Sequence, residues 1–221
     1  MADFKPTVKK HAINERKLQL HAQNSVGKNA TLKFNIITNY PRIDVYTNDD
    51  NDPKNKEPIR AALDQSSFFI FLTLLEKAAN AKEKFEETIE NRGHTFFGGK
   101  RSEKPEVLSR LTVGKDDKGV VFITVVAKNR PKIKFPVLPT NWNNLVDSQS
   151  GEKIGEAKAS FYTALAWKDL LSHMMGTYLV VNFEEIEPKD NKSSGNNKWQ
   201  NNQQQQKPAV SYDDEGDSFP F

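Results

Sequence analysis

The fold class of this chain follows from short segments in which apolar and polar residues alternate. In residues 17–22, 30–37 and 42–47 the alternation has the period of a half-buried β-strand. Two further apolar segments flank the polar run Gly114-Lys115-Asp116-Asp117-Lys118-Gly119, a composition that favours a hairpin. We predict strands at residues 17–22, 30–37, 42–47, 106–113, 120–127, 157–167 and 177–187. The sequence therefore predicts a mainly β domain.

One long segment carries a helical pattern instead. Apolar residues recur every three or four positions from Pro58 to about Asn91, and Arg92-Gly93 supplies a C-terminal stop. A single helix of that length would extend about 50 Å, which exceeds the width of a small domain. We therefore expect a break near Asp64-Gln65-Ser66-Ser67, where capping residues cluster. A short helix is also predicted over residues 168–176.

Seven strands with a helix after the third fit an oligonucleotide/oligosaccharide-binding (OB) barrel, although the strand count alone also fits a sandwich. The prediction is an OB-fold barrel with hairpin extensions and a helical insertion over residues 1–187, of which residues 1–16 form a mobile basic arm. The Asn/Gln-rich residues 188–207 are predicted to be a disordered linker. Residues 208–221 form an acidic tail.

Charge is distributed unevenly along the chain. Lys and Arg total 32 against 29 Asp and Glu, but residues 208–221 contain four acids and no base. Residues 1–207 therefore carry 32 basic and 25 acidic side chains, a net charge of +7. A basic body favours a polyanionic partner, and the acidic end is an internal competitor for it.

Several function classes lack their residues. The absence of cysteine excludes disulfides, thiolate zinc sites and a cysteine nucleophile. It is compatible with a location in the reducing cytoplasm. No apolar run approaches the roughly 20 residues of a membrane helix, and the N-terminus lacks the apolar region of a signal peptide. We expect a cytoplasmic protein without a membrane partner.

Catalytic motifs are also missing. The four histidines are scattered without metal-ligand spacing, Gly98-Gly99-Lys100-Arg101 lacks the pattern of a phosphate loop, and no Gly-x-Ser-x-Gly occurs. Asn48 to Pro53 lacks the Gly and Glu of a calcium loop and is interpreted as a surface loop. Glu184, Glu185 and Glu187, the nearest candidates for a metal-dependent nuclease, are more simply a solvated strand face. The expectation is a protein that is not an enzyme and needs no cofactor or metal.

Binding of a nucleic acid strand needs basic side chains that contact the phosphates and exposed aromatic rings on which nucleobases stack. Residues 94–104 combine aromatic, glycine and basic residues, and Lys128, Arg130, Lys132 and Lys134 alternate with other residues. In an extended strand these four would line one face about 6.6 Å apart, or guard an exposed edge. The stacking candidates are Tyr40, Tyr46, Phe96, Phe97 and Trp142, and the phosphate candidates are Lys100, Arg101, Lys104, Arg110, Lys128, Arg130, Lys132 and Lys134.

The end of the chain places an acidic cluster before two phenylalanines. Asp213, Asp214, Glu215 and Asp217 precede Phe219-Pro220-Phe221. This end resembles the acidic C-terminal tail of bacterial and bacteriophage single-stranded-DNA-binding proteins, which finish with Phe. Residues 161–187, two predicted strands around a connection, are similar to the closing strands of the bacteriophage members.

The resemblance implies sequence-independent binding and protection of single-stranded DNA during viral DNA replication, recombination and repair, in the host-cell cytoplasm. It also implies that the four acids with Phe219 and Phe221 recruit a polymerase, helicase or primase. A monomer and a dimer are both compatible with these features. The alternatives are an RNA-binding or strand-annealing protein on a similar barrel, a nuclease or nuclease accessory, and a protein–protein adaptor.

Overall fold

The structure is a computed structural model that describes residues 18–37, 39–140 and 142–181. The predicted basic arm 1–16, the linker 188–207 and the acidic tail 208–221 lie outside the described residues. So do residues 182–187 of the last predicted strand.

Twelve elements follow one another along the described part of the chain. In order they are β1 (Gln19–Gln23), β2 (Asn29–Ile37), β3 (Tyr40–Tyr46), β4 (Ile59–Ala62), α1 (Gln65–Asn80), β5 (Phe85–Gly93), β6 (Phe96–Phe97), β7 (Lys100–Arg101), β8 (Glu106–Lys115), β9 (Val121–Val126), β10 (Phe135–Pro136) and α2 (Glu156–Val181). The chain is thus mainly β, and the strand predictions near the positions of β1, β2, β3, β8 and β9 are confirmed.

The strands form two antiparallel sheets and one small hairpin. The first sheet has the order β1-β2-β3-β4, and the second has the order β10-β9-β8-β5. Within the part of the chain that the structure describes, strands β6 and β7 pair only with each other. Among the residues that the structure describes, no strand pairing joins the two sheets into a closed barrel.

Alternation in the sequence determines which side of the first sheet is buried. In β2, Ala30, Leu32, Phe34 and Ile36 are buried, whereas the intervening side chains are half-buried. The apolar side packs against α1, where the Phe34 and Phe71 ring centroids lie 5.8 Å apart. The opposite side carries polar and charged residues that solvent reaches.

The helical prediction for residues 58–91 is confirmed only for residues 65–80, which form α1, because β4 precedes this helix and β5 follows it. The capping residues at 64–67 mark the start of α1 and not a break between two helices: the Asp64 side chain accepts a hydrogen bond from the Ser67 amide at 2.6 Å and caps α1. Phe85 and Ile89 are four residues apart, a spacing that suits one helical turn and equally two periods of a strand. Pairing with β8, which places Ile89 opposite Leu111, selects the strand.

The predicted strand 157–167 and the described part of the predicted strand 177–187 are wrong, whereas the helix predicted at 168–176 is confirmed as part of a longer helix. Residues 156–181 form the single helix α2. Ala164, Leu171, Met175 and Tyr178 are buried at intervals of seven, four and three residues, which is the repeat of one helical face. Packing of this face against α1 outweighs the strand preference of the β-branched residues near its end. The structure therefore contradicts the similarity to a pair of closing strands for residues 161–181, because these residues are helical.

Candidate nucleic-acid interface

The first sheet presents a polar face on the side opposite the core. We call this surface the outer face, and it consists of Gln19, His21, Thr31, Lys33, Asn35, Arg42, Asp44, Tyr46 and Arg60. The register places Lys33 opposite Asp44, and Asp44 opposite Arg60. In the same register Thr31 lies opposite Tyr46. Neighbouring strands therefore bring side chains from distant parts of the chain together on one face.

A buried carboxylate lies among the basic side chains of the outer face. Asp44 is buried, its Oδ2 accepts a hydrogen bond from Asn35 Nδ2 at 2.8 Å, and its Oδ1 lies 3.6 Å from Arg60 Nε. Burial raises the pKa of Asp44 above its usual value, against the Asn35 hydrogen bond and the charges of Arg60, Arg42 and Lys33. Three cations surround one acid, so the face attracts anions such as phosphates.

An aromatic ring lies beside these bases. The Tyr46 ring is half-buried, and the Lys33 Nζ lies 5.2 Å from the ring centroid. Both residues line a concavity of about 510 Å³, a volume typical of small-ligand sites. The residues that line it are Gln19, His21, Thr31, Lys33, Tyr46 and Asn48. The concavity can therefore hold a planar ring against Tyr46 with an anion beside Lys33.

The β6–β7 hairpin brings together part of the predicted binding set. The Phe96 side chain is 70% exposed and lies opposite Arg101, while Phe97 pairs with Lys100 in the backbone register. Gly98 and Gly99 have φ values of 56° and 78°, which the tight turn requires and which favour glycine. An exposed ring and two bases thus share one short hairpin, and the exposed Lys104 follows it.

Two other predicted residues lie elsewhere. Trp142 is 93% exposed in the loop between β10 and α2, so its predicted exposure is confirmed. Arg110 lies on the second sheet, where its Nε is 3.0 Å from Glu90 Oε1. A neighbouring acid therefore offsets the charge of Arg110 locally.

The predicted row of four bases along one strand face is not present. Residues 128–134 form no strand, because Asn129 has φ 59° and the Arg130 amide donates to the Ala127 carbonyl in a turn. Lys134 pairs with Asp116 at 3.0 Å. Arg130 is buried in an ion pair, so of the four only Lys128 and Lys132 are exposed without an ion pair among the described residues.

Sequence reasoning missed the bases of the outer face. Lys33, Arg42 and Arg60 are isolated in the sequence, and only the register of β2, β3 and β4 brings them together. Lys33 and Arg42 occupy polar positions of the alternating pattern that predicts strands at residues 30–37 and 42–47. Those positions could have identified both residues as part of the exposed sheet face. Arg60 lies in the segment that the sequence predicts as helix, so the strand pattern does not identify it.

A hydrogen-bonded network borders one end of the outer face. The Asn24 side chain donates to the carbonyls of Thr47 and Asn48, at 3.0 Å each, and accepts from two amides of the β1–β2 turn. Thr47 Oγ1 donates to Asp52 Oδ2 at 2.6 Å, and Arg130 Nε lies 2.6 Å from Asp52 Oδ1. The loop after β3, interpreted from sequence as an ordinary surface loop, is thus fixed to two other loops.

Stability is expected to depend on pH through Asp52. Burial raises the pKa of this carboxyl, but the adjacent Arg130 guanidinium and hydrogen bonds from Thr47 and the Lys54 amide hold the pKa below its usual value. A lowered folded pKa contributes stability above the unfolded value of about 3.9, and this contribution is lost as the pH falls through the folded pKa. Urea unfolding from about pH 6 to about pH 3 should show a smaller loss of stability in Asp52→Asn than in the unchanged protein. Equal losses in the two proteins would contradict the assignment.

No protein-family model, curated protein or solved structure matches this chain. Within the described residues, no His, Asp and Glu side chains are grouped in threes around a possible metal position. Neither described helix has the combination of length and apolar character needed to cross a membrane.

Proposed function

We propose that this chain is a sequence-independent single-stranded-DNA-binding protein. The observation that carries the proposal is the outer face, where Lys33, Arg42 and Arg60 surround the buried Asp44 and Lys33 lies over the Tyr46 ring. Such a site has two components: basic side chains that contact the phosphates, and an aromatic ring on which a nucleobase stacks.

Single strands fit this surface better than duplex does. The rings of Tyr46, Phe96 and Trp142 can stack only on bases that are unpaired, since a duplex keeps its bases within its own stack. Every nucleobase offers a flat face, so stacking tolerates any sequence. Phosphate contacts from lysine and arginine carry no sequence information. The expected result is strong, salt-dependent binding with little base preference.

The architecture supports an OB-type fold with incomplete closure as part of the proposal. Two side chains connect β8 and β5 to β4: Ser109 Oγ donates to the Arg60 carbonyl at 2.6 Å, and Asn91 Nδ2 donates to the Ala62 carbonyl at 2.7 Å. These contacts link the edge strand β4 of the first sheet to the second sheet. OB folds are partly open barrels that bind oligonucleotides on a sheet face.

The biological role that we propose comes from the resemblance of the acidic tail. The protein would coat and protect single-stranded DNA during viral replication, recombination and repair. Asp213, Asp214, Glu215 and Asp217, with Phe219 and Phe221, would recruit a replication protein such as a polymerase, helicase or primase. This segment lies outside the described residues, so sequence alone supports that part.

Titration of a fluorescent dT oligonucleotide tests the DNA-binding proposal. We expect tight binding, quenching of tryptophan emission, and weak competition by a duplex of equal length. Lys33→Met should lower affinity and reduce the slope of log affinity against log salt by about 0.7, the value for one phosphate contact on a single strand. Lys77→Met, which removes an exposed base of α1, is the matched control and should leave both unchanged.

The other outcomes separate the alternatives. Equal binding of duplex would leave only a basic surface, and no binding would favour an adaptor. An outward sheet face with aromatic and basic residues also binds single-stranded RNA in other proteins. Tighter binding of an RNA strand than of the same DNA sequence would therefore favour an RNA-binding protein, and magnesium-dependent loss of the oligonucleotide would indicate a nuclease.

A further inference from the structure

Arg130 was predicted from sequence to contact phosphate, but its surroundings indicate a different role. We infer that Arg130 is a positioning residue, which fixes the loop after β3 and through it holds Tyr46 and Asn48 in the binding face. The inference rests on the proposed DNA-binding function and adds how that face keeps its shape.

The Arg130 guanidinium joins three points of the same loop. Its Nε lies 2.6 Å from Asp52 Oδ1, and its Nη2 donates to the carbonyls of Lys54 at 3.0 Å and Glu57 at 2.8 Å. The side chain is only 6% exposed, and that of Asp52 is fully buried. A DNA phosphate cannot replace these contacts without exposing the Asp52 carboxylate.

We call the contacts of Arg130 with Asp52, Lys54 and Glu57 the clamp, and one hydrogen bond connects it to the outer face. Asp52 Oδ2 accepts from Thr47 Oγ1 at 2.6 Å, and Thr47 directly follows Tyr46, the last residue of β3. Asn48 lines the concavity, and its side chain donates to the Asn29 carbonyl at 2.6 Å. Displacement of Asp52 would therefore loosen the residues on both sides of Thr47, which would keep only their bonds to β2 and to Asn24 among the described contacts.

Arginine suits this position because its planar fork donates in several fixed directions. A lysine at the same place keeps the positive charge, but its ammonium is a single point that cannot reach Asp52 and both carbonyls in one geometry. Arg130→Lys therefore separates the two roles of the residue. A phosphate contact would survive the change, whereas the clamp would not.

The test measures the affinity of Arg130→Lys for dT oligonucleotide at a temperature where circular dichroism shows a folded protein. We expect affinity to fall about 2- to 30-fold, the equivalent of the range of about 0.5–2 kcal/mol found for indirect coupling. Hydrogen exchange should accelerate at the Asn51 and Lys54 amides, which donate to Asp49 and Asp52. The exposed Lys77 lies on α1, outside the binding face, and Lys77→Arg is the matched control that should change neither quantity.

A second variant leaves the clamp in place and removes only its connection to the face. Thr47→Val keeps the shape of the buried side chain but loses the hydroxyl that donates to Asp52. It should lower the affinity for dT to a similar extent while Arg130 is unchanged. This variant tests the inference even if Arg130→Lys does not fold.

Three results would overturn the inference. Wild-type affinity of folded Arg130→Lys would restore a phosphate or purely structural role. Faster exchange at Asn51 and Lys54 without any loss of affinity would confine Arg130 to loop stability. Absence of DNA binding by the unchanged protein would remove the proposed function as well, so the two failures are distinguishable.

Discussion

Arg130→Met should destabilise the fold by about 3–5 kcal/mol, the cost typical of breaking a buried ion pair by removing one partner. Methionine keeps much of the side-chain length, so the main loss is charge and hydrogen bonding and not packing volume. Asp52 remains buried and keeps only the hydrogen bonds from Thr47 and the Lys54 amide. The carbonyls of Lys54 and Glu57 lose their Arg130 donor.

Urea or thermal unfolding followed by circular dichroism measures this loss. Lys132→Met removes an exposed base two residues away and should change the free energy of unfolding by less than about 0.5 kcal/mol. The double variant Arg130→Met/Asp52→Leu removes both charges and should recover part of the stability, because no unpaired charge then remains in the interior. A cost for Arg130→Met no larger than that for Lys132→Met would show that the ion pair is not buried in solution.

The predictability of the fold depended on whether a local pattern had one structural solution. Alternation over residues 30–37 fits only a strand, and β2 forms there. The spacing of Phe85 and Ile89 fits a helix or a strand, and only pairing with β8, more than twenty residues further along the chain, decides between them. Residues 156–181 contain alanines, aromatics and β-branched residues, and their helix is selected by packing on α1. Contacts distant in sequence are absent from any local pattern.

The same distinction applies to the candidate site. The exposed Phe96 with Arg101 and the exposed Trp142 were predicted, because adjacent residues and local turns place them. The cluster of Lys33, Arg42 and Arg60 depends on the register of three strands, which the sequence does not encode locally. Arg130 shows the reverse error. Because Arg130 lies in a run of basic residues, the sequence predicts that it contacts phosphate. Its side chain is instead paired with the buried Asp52, which belongs to a loop more than seventy residues earlier in the chain.

Tyr46→Ala should weaken binding of dT by about 5- to 150-fold, because stacking of one base on an aromatic side chain contributes about 1–3 kcal/mol. Tyr46 is the ring among the bases of the outer face, and Lys33 lies within 5.2 Å of its centroid. Tyr46→Phe keeps a flat ring and should retain most of the affinity. Tyr162 offers a matched control on α2, since it is exposed but lies away from the first sheet in sequence and in its contacts.

An oligonucleotide without bases distinguishes stacking from an indirect loss of phosphate contacts. If Tyr46 stacks on a base, the unchanged protein and Tyr46→Ala should bind an abasic strand with equal, low affinity, and the salt slope on dT should be the same for both. If the substitution instead disturbs Lys33, both the abasic affinity and the salt slope should fall in Tyr46→Ala. Wild-type binding of dT by Tyr46→Ala, with Tyr162→Ala equally unaffected, would move the stacking surface to the Phe96 hairpin and the Trp142 loop. The outer face would then contribute only charge.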